Sequence, residues 1–177
     1  MPADVVEICC KPVGLDSLDR MDVDALVLAP FQDERPLRGA AGYSDWRLDG
    51  RLSRMILAGG FEARDREVLL TDTLGRIGTP RVFLFGQGER YAMDLTRFQR
   101  SVERVLQTLD RARMRSYAIE LPGVDPGPVS VPQAISAFLE AAAGHPGTRV
   151  ELLVPYPRFA ELVSEIAAGE RGVKILD

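Results

Sequence analysis

Apolar positions recur along this chain in two rhythms. Strand-like runs stand at 5–10 (VVEICC), 25–30 (ALVLAP), 67–72 (EVLLTD), 81–86 (RVFLFG), 116–121 (SYAIEL), 150–155 (VELLVP) and 173–176 (VKIL), and several of them are nearly unbroken apolar runs. Runs of this length, rich in Val, Leu and Ile, predict strands covered on both faces. Between them the spacing changes to that of helices. Leu48, Leu52, Met55 and Ile56 share one face, Arg47, Arg51 and Arg54 take the other, and Gly59-Gly60 supplies a stop. From 94 to 113, Leu95, Phe98, Val102, Val105, Leu106 and Leu109 cover one broad face, while Arg97, Arg100, Arg104 and Arg111 line a narrow arc opposite. Ile135, Phe138 and Leu139 mark a third helix, over 131–144. A fourth, over 156–169, carries proline in its first turn and ends at Gly169.

The second half alternates helix and strand, which predicts an α/β domain with helices on both sides of a mostly parallel sheet. The first half reads as consecutive strands, so the sheet is expected to be mixed. The segment 121–132 (LPGVDPGPVSVP) is read as a strand-to-helix loop, because both of its flanks read as core. With 177 residues and no internal repeat or long linker, a single domain over 1–177 is expected.

Composition narrows the function classes. The chain is 46% hydrophobic and 27% charged, with a net charge of −4. That balance disfavours a surface wholly devoted to nucleic acid or acidic lipid, but not a local basic patch. No apolar run reaches the length of a membrane span, and the first residues lack a basic start followed by an apolar stretch. A cytoplasmic location is therefore expected, with no membrane partner. Cys9 and Cys10 are the only cysteines and His145 the only histidine. Neither a multi-histidine metal site nor a four-cysteine zinc site can be assembled from them, and at least one cysteine is expected in the core. The string Asp16, Asp19, Asp22, Asp24 does not match a calcium loop and is read as a solvated acidic turn.

Two loops have the chemistry of ligand grips, since ligands of open α/β sheets gather beyond the strand ends. Gly86 and Gly88 follow one strand, but position 91, where a G-x-G-x-x-G pattern would end, is Tyr91. Gly123 and Gly127 precede the third helix. These four glycines are the candidate small-molecule contacts, with a plain turn as the other reading. Arg97, Arg100, Arg104 and Arg111 are the candidate contact for nucleic acid or another acidic partner, against a solvated helix face. Trp46 and Tyr43 would anchor an interface if exposed; a core position is the favoured expectation for Trp46.

The stretch from DALV at 24–27 to FGQGER at 85–90 resembles the N-terminal domain of the leucine aminopeptidase family. The resemblance is carried by the D-A-L-V strand, an acidic and proline-containing stretch, and a helix with Asp49, Gly50 and Leu52. A Gly59-Gly60-Phe61 break, a following strand, and a strand ending in Gly86-Gln87-Gly88 complete it. It covers roughly residues 5–118 well and the remainder more loosely. It implies a macro-domain-like fold, a three-layer α/β/α sandwich. The stretch 116–142 also resembles the strand, loop and helix that hold the diphosphate of ADP-ribose in macro domains, but the consecutive glycines before the earlier helix and an early asparagine are missing. In the family, catalysis belongs to a separate metal-binding domain with motifs such as N-T-D-A-E-G-R, absent here. The resemblance therefore implies no catalytic residue, no metal, no cofactor and no enzyme activity. It implies a stand-alone module that binds a protein partner or assembles with itself. The alternatives are a nucleotide- or ADP-ribose-binding module and a nucleic-acid contact through the arginines.

Overall fold

The computed structural model describes residues 5–124 and 127–176. All seven runs are strands of one sheet: β1 (Val6–Pro12), β2 (Ala25–Leu28), β3 (Val68–Asp72), β4 (Arg81–Phe85), β5 (Ser116–Ile119), β6 (Arg149–Val154) and β7 (Val173–Leu176). Their order across the sheet is β3-β4-β2-β5-β6-β1-β7. Only β3, at one edge, runs antiparallel to its neighbour; β1 lies between β6 and β7, parallel to both. The sheet is mixed and mostly parallel, as the sequence predicts.

Strand alternation sends successive side chains to opposite faces, and each face has its own core. Val27, Phe83, Phe85, Tyr117, Ile119 and Leu152 point to the side covered by α4 (Leu95–Arg111), α5 (Val131–Ala143) and α6 (Pro157–Ala167). Leu26, Leu28, Val82, Leu84, Ala118 and Leu153 point to the side covered by α1 (Leu15–Arg20), α2 (Gly39–Arg47) and α3 (Arg51–Leu57). The result is a three-layer α/β/α sandwich.

Two local readings are corrected. The chain between β2 and β3 forms two helices rather than one. Asp49 (φ 54°) and Gly50 (φ 73°) take left-handed conformations between them, which no continuous helix can contain. The acidic string is not a plain turn, because α1 occupies Leu15–Arg20. Asp16 pairs with Arg20 and Asp19 with Arg47, while Asp24 bonds the backbone of the neighbouring strand.

Candidate functional site

The carboxyl ends of β2 and β5 lie side by side, and the chain leaves them in opposite directions. After β2 it passes to α2 on one face, and after β5 to α5 on the other. Such a divergence opens a crevice above the strand ends. A cavity of about 440 Å³ fills it, walled by 27–31, the start of α2, 120–124, and Val13 and Pro155 beyond β1 and β6.

Four charged side chains face this cavity: Glu34, Arg38, Arg90 and Glu120. The Arg90 guanidinium bonds Glu34 at 2.5 Å and lies over the Phe31 ring, 4.5 Å from its centroid. The Arg90 N–H donates to Asp33 Oδ1 at 3.0 Å, which ties the loop after β4 to the loop after β2. With only 11% of its side chain exposed, Glu34 is neutralised where it stands. Arg38, the residue before α2, is exposed and pairs with no described acid. It is a free cation at the cavity wall.

Glu120 directly follows β5, and its Oε2 accepts the Ala40 N–H at 2.6 Å. The carboxylate thereby caps α2 from across the cavity, a service the preceding Arg38 side chain does not supply. The approach is close enough to require Gly39. This residue is left-handed (φ 53°), and a Cβ there would collide with the Glu120 carboxylate. Burial pushes the Glu120 carboxyl above its ordinary range; the Ala40 N–H opposes this in part, and the nearby Glu34 charge adds to it. No described cation lies within ion-pair distance of Glu120.

Of the four candidate glycines, Gly123 lines this cavity. Its φ is 68°, and a Cβ would press on Phe31 and Met93. Gly127 packs on the Gly123 backbone, while the intervening Asp125 and Pro126 lie outside the described residues. Gly86 and Gly88 are not among the lining residues. Their missing side chains admit the segment 63–65, and Gly88 N–H donates to Ala63 O at 2.9 Å.

The arginine stripe divides. Arg97, Arg100 and Arg104 border a separate concavity of about 460 Å³ together with Asp65, Arg66 and Ser101. Arg104 is engaged there, donating to Gly86 O at 3.1 Å and pairing with Asp65 at 3.3 Å. Arg111 lies at the other end of α4, about 20 Å from Arg97 along the axis at 1.5 Å per residue.

Trp46 is 64% exposed, which overturns the core expectation. The face α2 turns to the sheet is built from Ala40, Ala41 and Ser44, and the indole stands outside, with the Arg47 guanidinium 5.1 Å from its centroid. Trp46, Tyr43 and Leu37 form a shallow groove that shares Arg38, Gly39 and Tyr43 with the cavity. Among the described residues, no group of three or more His, Cys, Asp or Glu is arranged to hold a metal ion. No described helix is long and apolar enough to cross a membrane.

Sequence reasoning missed Glu34, Arg38, Arg90 and Glu120. For Glu120 a signal existed, since a carboxylate directly after an apolar parallel strand stands where α/β sheets bind ligands.

Comparison with known proteins agrees with this architecture. Over 94% of its length the chain superposes on a tomato leucine aminopeptidase, with a TM-score of 0.64 and 15% identity, covering 36% of that protein. A Trypanosoma brucei macrodomain in complex with ADP superposes over 93% of the chain and 69% of that protein, with a TM-score of 0.70 and 14% identity. A probable cytosol aminopeptidase of Thermosynechococcus vestitus is 28% identical over 156 residues, 84% of this chain and 31% of that protein. The chain spans less than a third of the length of the curated aminopeptidases it matches. The model of the cytosol aminopeptidase family N-terminal domain matches residues 27–144, which include the cavity-lining segments after β2 and β5. By that match, the chain belongs to the cytosol aminopeptidase family, through its N-terminal, macrodomain-like domain.

Proposed function

We propose that this domain is a small-molecule binding module that takes a nucleotide-like ligand in the cavity between β2 and β5. The observation that carries this reading is the 440 Å³ cavity itself. It joins a free arginine, Arg38, to a left-handed glycine loop at Gly123, above the ends of parallel strands. Solved macrodomains of similar fold support the ligand class, the Trypanosoma brucei protein having been solved with ADP and an Oceanobacillus iheyensis variant with ADPR. The whole chain acts as one unit, and we read it as cytoplasmic. Binding, not peptide hydrolysis, is its role.

The test is a thermal-melting titration with adenosine, ADP and ADP-ribose. A ligand at about a hundred times its Kd adds roughly 2.7 kcal/mol. For a domain of this size that raises Tm by about 5–10 °C. A Gly123→Val variant should lose the shift. Unmoved melting with all three compounds would refute the reading.

A second reading, protein docking or self-association, is favoured by the exposed Tyr43 and Trp46 beside the same cavity. Light scattering of the protein and of Trp46→Ala tests it, since an assembly through this surface would be lost in the variant while the folding stability of the chain changes by no more than about 0.5 kcal/mol.

A further inference from the structure

We infer that Glu120 is the specificity-determining residue of the cavity: its carboxylate holds the anion seat at the start of α2, so the cavity rejects phosphate there and selects a ligand group that donates a hydrogen bond. This inference rests on the small-molecule reading above.

The first turn of a helix offers unpaired N–H groups and the positive end of the helix dipole, and so favours a negative charge. In this protein the charge is already present. Glu120 Oε2 accepts the Ala40 N–H at 2.6 Å, and the carboxylate lies so close to Gly39 that no side chain would fit between them. A ligand phosphate brought to the same point would meet a like charge and would find the N–H taken.

The other oxygen is differently placed. Glu120 lines the cavity, and no described residue donates to its Oε1. A ligand hydroxyl or amino group can donate to it, as a phosphate cannot. Around Glu120, the loop after β2 contributes Glu34, neutralised by Arg90, and the residue before α2 is Arg38, exposed and unpaired. Arg38 is therefore the one cation at this wall left to receive a ligand's phosphate among the described residues. The arrangement separates two ends of a ligand, a donor end at Glu120 and an anionic end at Arg38.

Glu120→Gln tests the inference. The substitution keeps the shape and an oxygen for the Ala40 N–H, and it removes the charge. Isothermal titration of both proteins with adenosine and with ADP gives the readout. The expected result is tighter ADP binding in the variant and weaker adenosine binding, together at least a tenfold shift in their affinity ratio, because the charge is gone and the amide nitrogen takes the place of the accepting Oε1. Glu120→Ala, which vacates the seat altogether, should gain ADP affinity in the same direction and guards against a misfolded glutamine variant. If the wild-type protein binds ADP and neither variant binds it more tightly, the inference falls and the small-molecule reading stands. If neither compound binds any of the three proteins, that reading falls and this inference with it.

Discussion

Asp24 and Ser116 bind each other in both directions. The Asp24 Oδ2 accepts the N–H groups of Ser116 and Arg115, both at 2.9 Å, and the Asp24 N–H donates to Ser116 Oγ at 3.0 Å. The contact joins the starts of β2 and β5, the two strands whose far ends frame the cavity. Desolvation pushes the Asp24 carboxyl up, but the two backbone N–H groups and the Ser116 side chain outweigh it, and the group is held below its ordinary 3.8.

Asp24→Ala should therefore destabilise the protein at pH 7. Hydrogen bonds to a charged group contribute roughly 1.5–3 kcal/mol each when sheltered. Asp24 is partly open to water, so a total loss of about 1–2 kcal/mol is expected, a fall of about 2–8 °C in Tm. Because the folded-state pKa is depressed, this contribution is present above the unfolded value and is lost as pH falls through the folded one. Calorimetry of both proteins should show their melting temperatures converging below pH 3.8.

Glu120 works in the opposite sense. Its folded-state pKa is raised, so the folded protein holds its proton longer than the unfolded chain. Stability from this group is complete below the ordinary value of 4.5 and declines as pH rises through the folded value. Glu120→Gln should escape that decline. Melting curves from pH 4 to 8 should show the variant gaining on the wild-type protein with rising pH, then holding a constant lead.

Gly86 is required by packing. A Cβ there would strike Arg64 O and the Ala63 carbonyl carbon. Gly86→Ala should cost about 1–3 kcal/mol, as overpacking does. Gly14→Ala, where nothing lies within 4 Å of the added carbon, should be close to neutral. Equal denaturation midpoints for the two variants would contradict this packing account.

The Cys10 thiol is pushed up to about 11, by burial first and by Cys9 second. The thiolate is the reactive form, so Cys10 should resist iodoacetamide at pH 7.5 and yield only when the protein is unfolded. Peptide mapping after timed alkylation would read this directly.

Much of the fold was legible because burial on both faces leaves an unmistakable apolar run, as in the strand holding Val82, Phe83, Leu84 and Phe85. The arginine-backed helix was equally clear, since Phe98, Val102, Val105 and Leu109 are large and periodic. By contrast, α2 is hidden in the sequence because it buries only alanines and a serine, which carry almost no periodic signal, and nothing there shows that Trp46 stands outside. The candidate site was harder still. Its charged groups come from three separate segments, around Glu34, Arg90 and Glu120, and each looks like an ordinary surface residue until the sheet brings them together. The glycines were visible, but a glycine that admits a ligand and one that admits a neighbouring loop are identical in sequence.

The position of β1 bears on how the chain is made. Of the seven described strands it is made first, yet both of its neighbours, β6 and β7, are made last. During synthesis β2, β4 and β5 can assemble while β1 waits, apolar and unpaired, for most of the chain to appear. Its Val6 and Ile8, wholly buried in the finished sheet, have no neighbouring strand until β6 is made. Seating β1 closes the sheet late, so the finished domain is fastened by joining its earliest residues to some of its latest.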